Sequence, residues 1–402
     1  MKCIIERMDH MGKGIGYIDG KIIFVPKTIP GDEVEITNYE EHKKYARATT
    51  YEIINSSNDR KIAFCPYYDK CGGCHLQNLS YEKTLEYKKD RVANILSRAN
   101  INNEIEVIKN DFPINYRNKI ELKVIDGRIG FYESKSHELI EIKECKITKE
   151  AINKFIPLLK DMELKNGDVT LRCNYNDELL VWIKTEDALI INEKTYPDYK
   201  VVGIIKNNER LYGEDHFLDK VGNMFFEVSY DSFFQVNQGI NEKLFGLIKD
   251  NVSGDVVLDL YSGVGTLSIM ASQNASKVYA IENIPNAVIN AIKNAKINNV
   301  KNTNFILGNV EDKIKYIEDE IDTVIVDPPR SGLDDVTINK VLELSPDKVI
   351  YISCETQKFA EDIKKFKDKY EVSKLYILDM FSFTYHVEVF CVLTKKMIKQ
   401  KL

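Results

Sequence analysis

Val256-Val257-Leu258-Asp259-Leu260-Tyr261-Ser262-Gly263-Val264-Gly265-Thr266 decides how the C-terminal part of this chain folds. Four of its first five residues are aliphatic, which suits a strand buried on both faces. Two glycines follow directly, where a tight turn brings backbone close to a ligand before a helix begins. Further buried strands are expected at Val278 to Ile281, Thr323 to Val326 and Lys348 to Ile352. Helical stretches at Thr266 to Ser272, Ala287 to Asn298 and Gln357 to Phe366 lie between them. That alternation specifies an α/β unit built on a parallel, doubly wound sheet, starting near Phe226.

Upstream the periodicity is different. Met1 to about Ser57 reads as five short strands: Ile4 to Met8, Gly14 to Ile18, Lys21 to Val25, Glu33 to Thr37 and Ala46 to Ile54. Asp19-Gly20 between two of them signals a hairpin. The pattern suggests a small OB-like barrel, a shape that often binds oligonucleotides but can also be purely structural. A helix is expected from Ser80 to Ala99, with Ser80 as N-cap and Lys83 where a capping box would need Glu. From Ile105 to Phe225 strands of alternating polarity dominate, among them Lys119 to Val124, Arg128 to Tyr132, Val169 to Asn174 and Glu178 to Lys184. They predict a mixed, mainly antiparallel α+β region. Three domains follow: 1–57, 58–225 and 226–402.

Composition bounds the class. At 402 residues more than one domain is expected, and 44% apolar residues support conventional cores. No run of eighteen apolar residues predicts a membrane span, and charges at Lys2, Glu6 and Arg7 interrupt any leader-like start. The expected location is the cytoplasm. Eight cysteines in a reducing compartment then read as ligands, nucleophiles or packing rather than disulfides. The net charge of −6 gives no support to a nucleic-acid partner, although a local face can be basic.

Chemistry-bearing residues cluster at strand ends. Glu282 ends the strand after the glycine turn, where a carboxylate can accept both hydroxyls of a ribose. Strand, glycine turn, helix, strand and acid form the layout of class I methyltransferases, which bind S-adenosylmethionine. Asp327-Pro328-Pro329-Arg330 follows another buried strand, on a loop that two prolines make rigid. Cys354 follows Tyr351-Ile352-Ser353 at the same sheet edge, before a helix N-terminus expected to favour the thiolate. Glu388 lies in an apolar terminal strand, Val387 to Leu393, where a carboxylate is unusual unless paired or functional. Burial would raise its pKa and strengthen it as a base, while a structural salt bridge is the alternative. His386 is a second candidate base, though a lone histidine is more often structural.

Cys65, Cys71 and Cys74 form C-x5-C-G-G-C, and Cys145 is a possible fourth ligand. The C-x2-C pair suits zinc or an iron–sulfur cluster. The x5 spacing favours iron–sulfur, with zinc as runner-up.

Together these motifs resemble the RNA uracil-5 methyltransferases, over essentially the whole chain. Gly12-Lys13-Gly14-Ile15-Gly16 and Pro30-Gly31-Asp32 look like the family's TRAM domain, an RNA-binding barrel. Cys65, Cys71, Cys74 and Cys145 match members that carry a 4Fe–4S cluster in the central domain. Tyr116-Arg117-Asn118-Lys119 resembles a segment near the RNA. Phe233-Phe234-Gln235-Val236-Asn237 matches a motif whose glutamine contacts the cofactor, so the resemblance assigns S-adenosylmethionine to Gln235, Tyr261, Glu282 and Asp327. Asp327 also falls near the target base. By the same comparison Cys354 is the nucleophile and Glu388 the base. Three positions depart from the pattern: Glu355 where Asn is frequent, no proline before Thr384, and Thr266 in place of an asparagine. Of these, Glu355 could oppose thiolate formation.

The chemistry implied is covalent. Thiolate addition to carbon 6 of uracil makes carbon 5 an enolate carbon able to attack a sulfonium methyl. A base must then take the carbon 5 proton before the cysteine leaves. The expected substrate is RNA, first 23S ribosomal RNA because of the iron–sulfur cysteines and the barrel, then the T-loop uridine of tRNA. A non-catalytic iron–sulfur RNA-binding or redox-sensing protein would need neither Cys354 nor Glu388. Methylation of a small molecule would fit the acidic charge but leave the barrel idle. A monomer is the default expectation.

Overall fold

The computed structural model describes residues 1–134, 136 and 138–397. Six strands build the N-terminal barrel: β1 (Lys2–Ile4), β2 (Arg7–Met8), β3 (Gly14–Ile18), β4 (Lys21–Val25), β5 (Glu33–Glu41) and β6 (Tyr45–Asn55). Their order is β1-β5-β6-β4-β3-β2. The single strand expected from Ile4 to Met8 is broken into two, because the chain changes partner there. The Ile5 amide donates to Asp32 O on one side (2.8 Å), and the Glu6 amide donates to Ile15 O on the other (2.9 Å). Alternate residues Val34, Ile36, Ala46 and Ala48 fill the core with Ile5, Ile23 and Val25. Asp32, fully buried, ties off the barrel: its carboxylate accepts from the Ile29 and Ser57 amides and pairs with Arg60. Burial alone would push that carboxyl up, but these partners outweigh it and hold it below its ordinary value.

Helix α1 (Tyr81–Ser97) starts as expected, with Ser80 Oγ accepting from the Lys83 amide at 3.3 Å. Its buried positions, Thr84, Lys88, Val92 and Leu96, recur every fourth residue and form one stripe. The stripe faces the C-terminal domain. The next strand, β7 (Glu106–Ile108), also departs from the expected middle sheet, since it pairs in parallel with a strand near the C-terminus.

The central sheet contains β8 (Lys119–Ile125), β9 (Arg128–Tyr132), β10 (Leu139–Glu141), β11 (Gly167–Cys173), β12 (Leu179–Lys184), β13 (Val201–Lys206) and β14 (Glu209–Gly213), with the short helix α2 (Glu150–Phe155). In the order β10-β9-β8-β11-β12-β13-β14, every pairing is antiparallel except β12 with β13. A ribbon of β15 (His216–Val221) and β16 (Met224–Ser229) leads onward.

The C-terminal domain alternates as its hydrophobic pattern predicts: α3 (Gln238–Asn251), β17 (Val256–Leu260), α4 (Thr266–Ala271), β18 (Lys277–Glu282), α5 (Pro285–Ile297), β19 (Thr303–Leu307), α6 (Val310–Lys313), β20 (Thr323–Val326), α7 (Asp335–Leu344), β21 (Lys348–Ser353), α8 (Thr356–Phe366), β22 (Tyr370–Leu378) and β23 (Glu388–Lys395). The sheet order is β19-β18-β17-β20-β21-β23-β22-β7. Strands β17 to β21 are parallel, whereas β23 runs antiparallel to both neighbours, so the sheet is mixed rather than wholly parallel. The two faces are buried in separate layers. Leu258 and Leu260 pack on one side with Val92, Phe359 and Phe366, and Val257 packs on the other with Leu244, Ile248 and Ile269. Among the described residues no helix is long and apolar enough to cross a membrane.

Candidate active site

A cavity of about 680 Å³ opens at the carboxyl ends of the parallel strands. All six residues singled out as catalytic or cofactor-binding line it: Gln235, Tyr261, Glu282, Asp327, Cys354 and Glu388. Ligands of open α/β sheets bind at this edge. Cys354 follows β21 and Glu388 opens β23, the antiparallel neighbour of β21, so the two reach the cavity from adjacent strands.

The wall after β17 is a turn with three positive φ angles, at Tyr261 (65°), Gly263 (54°) and Gly265 (82°). A Cβ on Gly265 would stand 2.9 Å from Ala291 Cβ and 3.0 Å from Phe305 Cε1, so both the backbone conformation and the close helix contact require glycine. Glu282 is locked against this turn. Its carboxylate accepts from the Gly263, Asn283 and Ile284 amides, each at 2.9 Å.

Four carboxylates and a thiol set the electrostatics. Asp259, fully buried in β17, is pushed up to about 7 by burial, against a hydrogen bond from Ser268 and with help from Asp327 and Glu282. Asp327 is likewise raised to about 7 by loss of water. Burial raises Glu388 well above the usual carboxylate range, and the nearby Asp327 charge adds to it. The expectation of a raised pKa for Glu388 therefore holds.

Cys354 overturns a different expectation. Its thiol is raised to about 11, first by burial, then by the charges of Glu388 and Asp327; Arg330 works in the opposite direction. The α8 N-terminus does not rescue it, because Glu355 caps that helix itself, its carboxylate accepting from the Gln357 amide at 3.3 Å. The helix dipole is spent on a carboxylate next to Cys354. In the free protein the thiol form therefore predominates at pH 7. Alkylation of the Cys354 peptide by iodoacetamide, followed by mass spectrometry, should rise about tenfold per pH unit from 7 to 9. A plateau below pH 8 would contradict the geometry.

His386 lines the same cavity and is held down to about 4, first by burial and then by the charges of Arg330, Arg91, Lys88 and Arg117. It is neutral at neutral pH. Two groups were not singled out from sequence, Arg330 beside the thiol and Asp259 beneath the turn. Arg330 belongs to the Asp327-Pro328-Pro329-Arg330 motif, and Asp259 is a carboxylate inside an apolar strand, so both carried a legible signal.

The four cysteines line one neighbouring cavity of about 460 Å³, and Arg117, Gly73, Phe233 and Phe234 border both cavities. The Gly73 amide donates to Cys71 Sγ (3.4 Å), and Lys27 Nζ donates to Cys74 O (2.5 Å). Burial and the facing Cys145 push the Cys74 thiol up to about 12. Among the described residues no three of these sulfurs come within 4.8 Å of one another. Tetrahedral zinc with Zn–S bonds of 2.3 Å needs sulfurs about 3.8 Å apart.

The mixed α/β sheet, its glycine turn and the cavity at its carboxyl edge define an S-adenosylmethionine-dependent methyltransferase fold. Residues 211–396 match the family model described as tRNA (Uracil-5-)-methyltransferase, and residues 1–58 match the TRAM domain of tRNA (uracil(54)-C(5))-methyltransferase. An uncharacterized RNA methyltransferase of Clostridium acetobutylicum is 36% identical, covering 98% of this chain and 96% of that one. Another, from Caldanaerobacter subterraneus subsp. tengcongensis, is 34% identical and covers 96% and 95%. Among solved structures, the tRNA (uracil-54, C5)-methyltransferase of Pyrococcus abyssi, in complex with S-adenosyl-L-homocysteine, matches with a TM-score of 0.81 at 26% identity, over 98% of this chain and 100% of that one. This chain belongs to the RNA uracil-5-methyltransferase family, with a TRAM domain at its N-terminus.

Proposed function

We propose that the protein transfers the methyl group of S-adenosylmethionine to carbon 5 of a uridine in 23S ribosomal RNA, using Cys354 as nucleophile and Glu388 as base. The convergence of Cys354, Glu388 and Asp327 in the cavity that also holds Gln235, Tyr261 and Glu282 carries this reading. Gln235, Tyr261, Glu282 and Asp327 bind the cofactor, which supplies an electrophilic methyl. The uridine is turned out of its stack to reach the thiol. The Cys354 thiol loses its proton to solvent and its sulfur bonds to carbon 6; carbon 5 takes the methyl as the sulfonium carbon–sulfur bond breaks, and S-adenosylhomocysteine would leave as the neutral thioether. Glu388 removes the carbon 5 proton, the electron pair restores the ring double bond, and the carbon–sulfur bond breaks. Arg330, which opposes the thiol's raised pKa, favours the thiolate, and proton sharing between Asp327 and Glu388 leaves one carboxylate to act.

Residues 1–57 grip RNA as the TRAM barrel, 58–225, apart from β7 in the C-terminal sheet, form the central RNA-binding domain, and 226–402 carry out methyl transfer. Cys65, Cys71, Cys74 and Cys145 would hold a 4Fe–4S cluster; the methyl transfer is redox-neutral, so the cluster would supply anchoring of the RNA-facing wall rather than electrons. The setting is the cytoplasm, where these thiols stay reduced, and the working unit is a monomer.

A second reading is a tRNA T-loop uridine as substrate. It is favoured by the Pyrococcus abyssi enzyme, a tRNA (uracil-54, C5)-methyltransferase that aligns over its whole length with this chain, barrel included. The barrel therefore does not separate the two substrates, and the cysteine motif alone sustains the ribosomal choice. Anaerobically prepared protein, labelled S-adenosylmethionine, and unmodified large-subunit ribosomal RNA and total tRNA decide between them. Label in 5-methyluridine from ribosomal RNA is expected. Label from tRNA alone would transfer the same chemistry to the second reading, and label in neither would overturn both.

A further inference from the structure

Residues 379–387 connect β22 to β23 and end at Glu388. Phe381, Thr384 and His386 of this loop face the catalytic cavity. The loop's fastenings come mostly from outside the methyltransferase sheet. Lys88 of α1, fully buried, forms an ion pair with Asp379 at the start of the loop, each side chain 1% exposed. Lys88 Nζ also donates to Phe381 O at 2.9 Å. Tyr81, about two turns earlier on α1, donates its hydroxyl to Asp379 Oδ2 (2.7 Å), as does Ser382 (2.6 Å). Asn110 completes the network, its amide N–H donating to the Tyr81 hydroxyl (2.7 Å) and its side chain to Ser382 Oγ (3.1 Å). At the far end, the His75 and Leu76 amides both donate to Phe383 O at 3.0 Å, where Phe383 sits at φ 60°.

A lysine withdrawn from water is unfavourable unless something needs it there. Here its ammonium meets a carboxylate and a loop carbonyl, so two polar groups at the start of the loop converge on one helix. The fastened positions Asp379, Phe381 and Phe383 lie nine, seven and five residues before Glu388, and His75, which holds Phe383, follows Cys74 directly. Displacement of a base by about 1 Å lowers a rate by roughly 10²-fold.

We propose that Lys88, acting through Asp379, is a positioning residue that sets the base-bearing loop and thereby Glu388 against carbon 5 of the bound uracil. The inference rests on the reading of Glu388 as the base. Thiol addition and methyl transfer use Cys354 and the cofactor wall, which Lys88 does not touch. Carbon 5 deprotonation uses Glu388. Loss of the clamp therefore slows the last step selectively, and the enzyme–RNA adduct bonded through Cys354 sulfur and carbon 6 accumulates.

Lys88→Met and Tyr81→Phe, with Glu388→Gln as reference, are tested in the full-length protein on whichever RNA the native protein methylates. Adduct is read as a denaturant-stable protein–RNA band, turnover as labelled 5-methyluridine, and folding as S-adenosylmethionine affinity by calorimetry. Lys88→Met is expected to turn over about tenfold or more slowly, with cofactor affinity within about twofold and the trapped fraction raised several-fold. Tyr81→Phe, which keeps the ring and removes one donor to Asp379, should shift the same way by about threefold. Trapping in Glu388→Gln without trapping in either clamp variant overturns this inference while leaving the base assignment intact. No trapping in Glu388→Gln overturns the base assignment itself. If Lys88→Met loses cofactor binding, Tyr81→Phe decides alone.

Discussion

Cys354→Ala should abolish uridine methylation, lowering it by roughly 10⁴-fold or more, while S-adenosylmethionine binding stays within about twofold. The size follows from the chemistry of the base. Uracil carbon 5 has little nucleophilic character until a group adds at carbon 6, and among the described residues no second thiol lines the cavity to replace Cys354. The unchanged cofactor affinity follows from the geometry. Gln235, Tyr261 and Glu282 come from the segment before α3 and from the ends of β17 and β18, whereas Cys354 follows β21. The substitution removes a sulfur from a half-buried position, so no large void forms. Isothermal calorimetry and incorporation of labelled methyl into RNA measure the two quantities separately. Residual methylation above about 1% of the native rate would remove Cys354 from the nucleophile's role.

Glu388→Gln should lower turnover by about 10²–10⁴-fold and leave a covalent protein–RNA adduct that survives denaturation. Glutamine keeps the shape and the cavity lining but cannot take a proton from carbon 5. Addition and methyl transfer precede that proton removal, so they survive. The same change removes one of the two charges that raise the Cys354 thiol, whose pKa should fall below its native value of about 11. Alkylation at pH 8 should accordingly be faster in the variant than in the native protein. Stability should respond with the opposite sign from a salt-bridged carboxylate. The folded-state pKa of Glu388 lies above its unfolded value. The fold is therefore favoured below the unfolded pKa and progressively loses that contribution as pH rises through the folded one. Glutamine has no such dependence, so thermal unfolding of the variant at pH 8 should occur at or above the native temperature. An equal loss of adduct and turnover would show that Glu388 acts before the proton-removal step.

Much of the catalytic architecture is legible in local sequence because it depends on short-range rules. The glycine turn after β17 follows from two glycines at the end of an aliphatic run, and its necessity is visible in the contacts a Cβ at Gly265 would make. Glu282, Asp327 and Cys354 each stand one residue at or past the end of a buried strand, and parallel strands bring their carboxyl ends to one edge. Their convergence is a consequence of strand direction alone. Glu388 was recognisable for a different reason, as a carboxylate in a run that otherwise reads Val387-Glu388-Val389-Phe390. Its strand direction was not recognisable, and β23 runs antiparallel to β21. That reversal lets the first residue of β23, rather than the last, meet the end of β21.

What the sequence by itself determined is the succession of elements, the barrel, the cysteine motif and the residue types at the strand ends, since periodicity and turn chemistry act over a few residues. The thiol's raised pKa was decided only by the tertiary structure: helix polarity suggested a lowered value, but burial and carboxylates 27 and 34 residues away in sequence, Asp327 and Glu388, override it. Tertiary structure alone also joined β7 to β22 and placed Lys88 against Asp379, nearly 300 residues later. Desolvation and charge act through space, so the protonation states and the fastening of the loop before Glu388 exist only once the three parts of the chain are packed together.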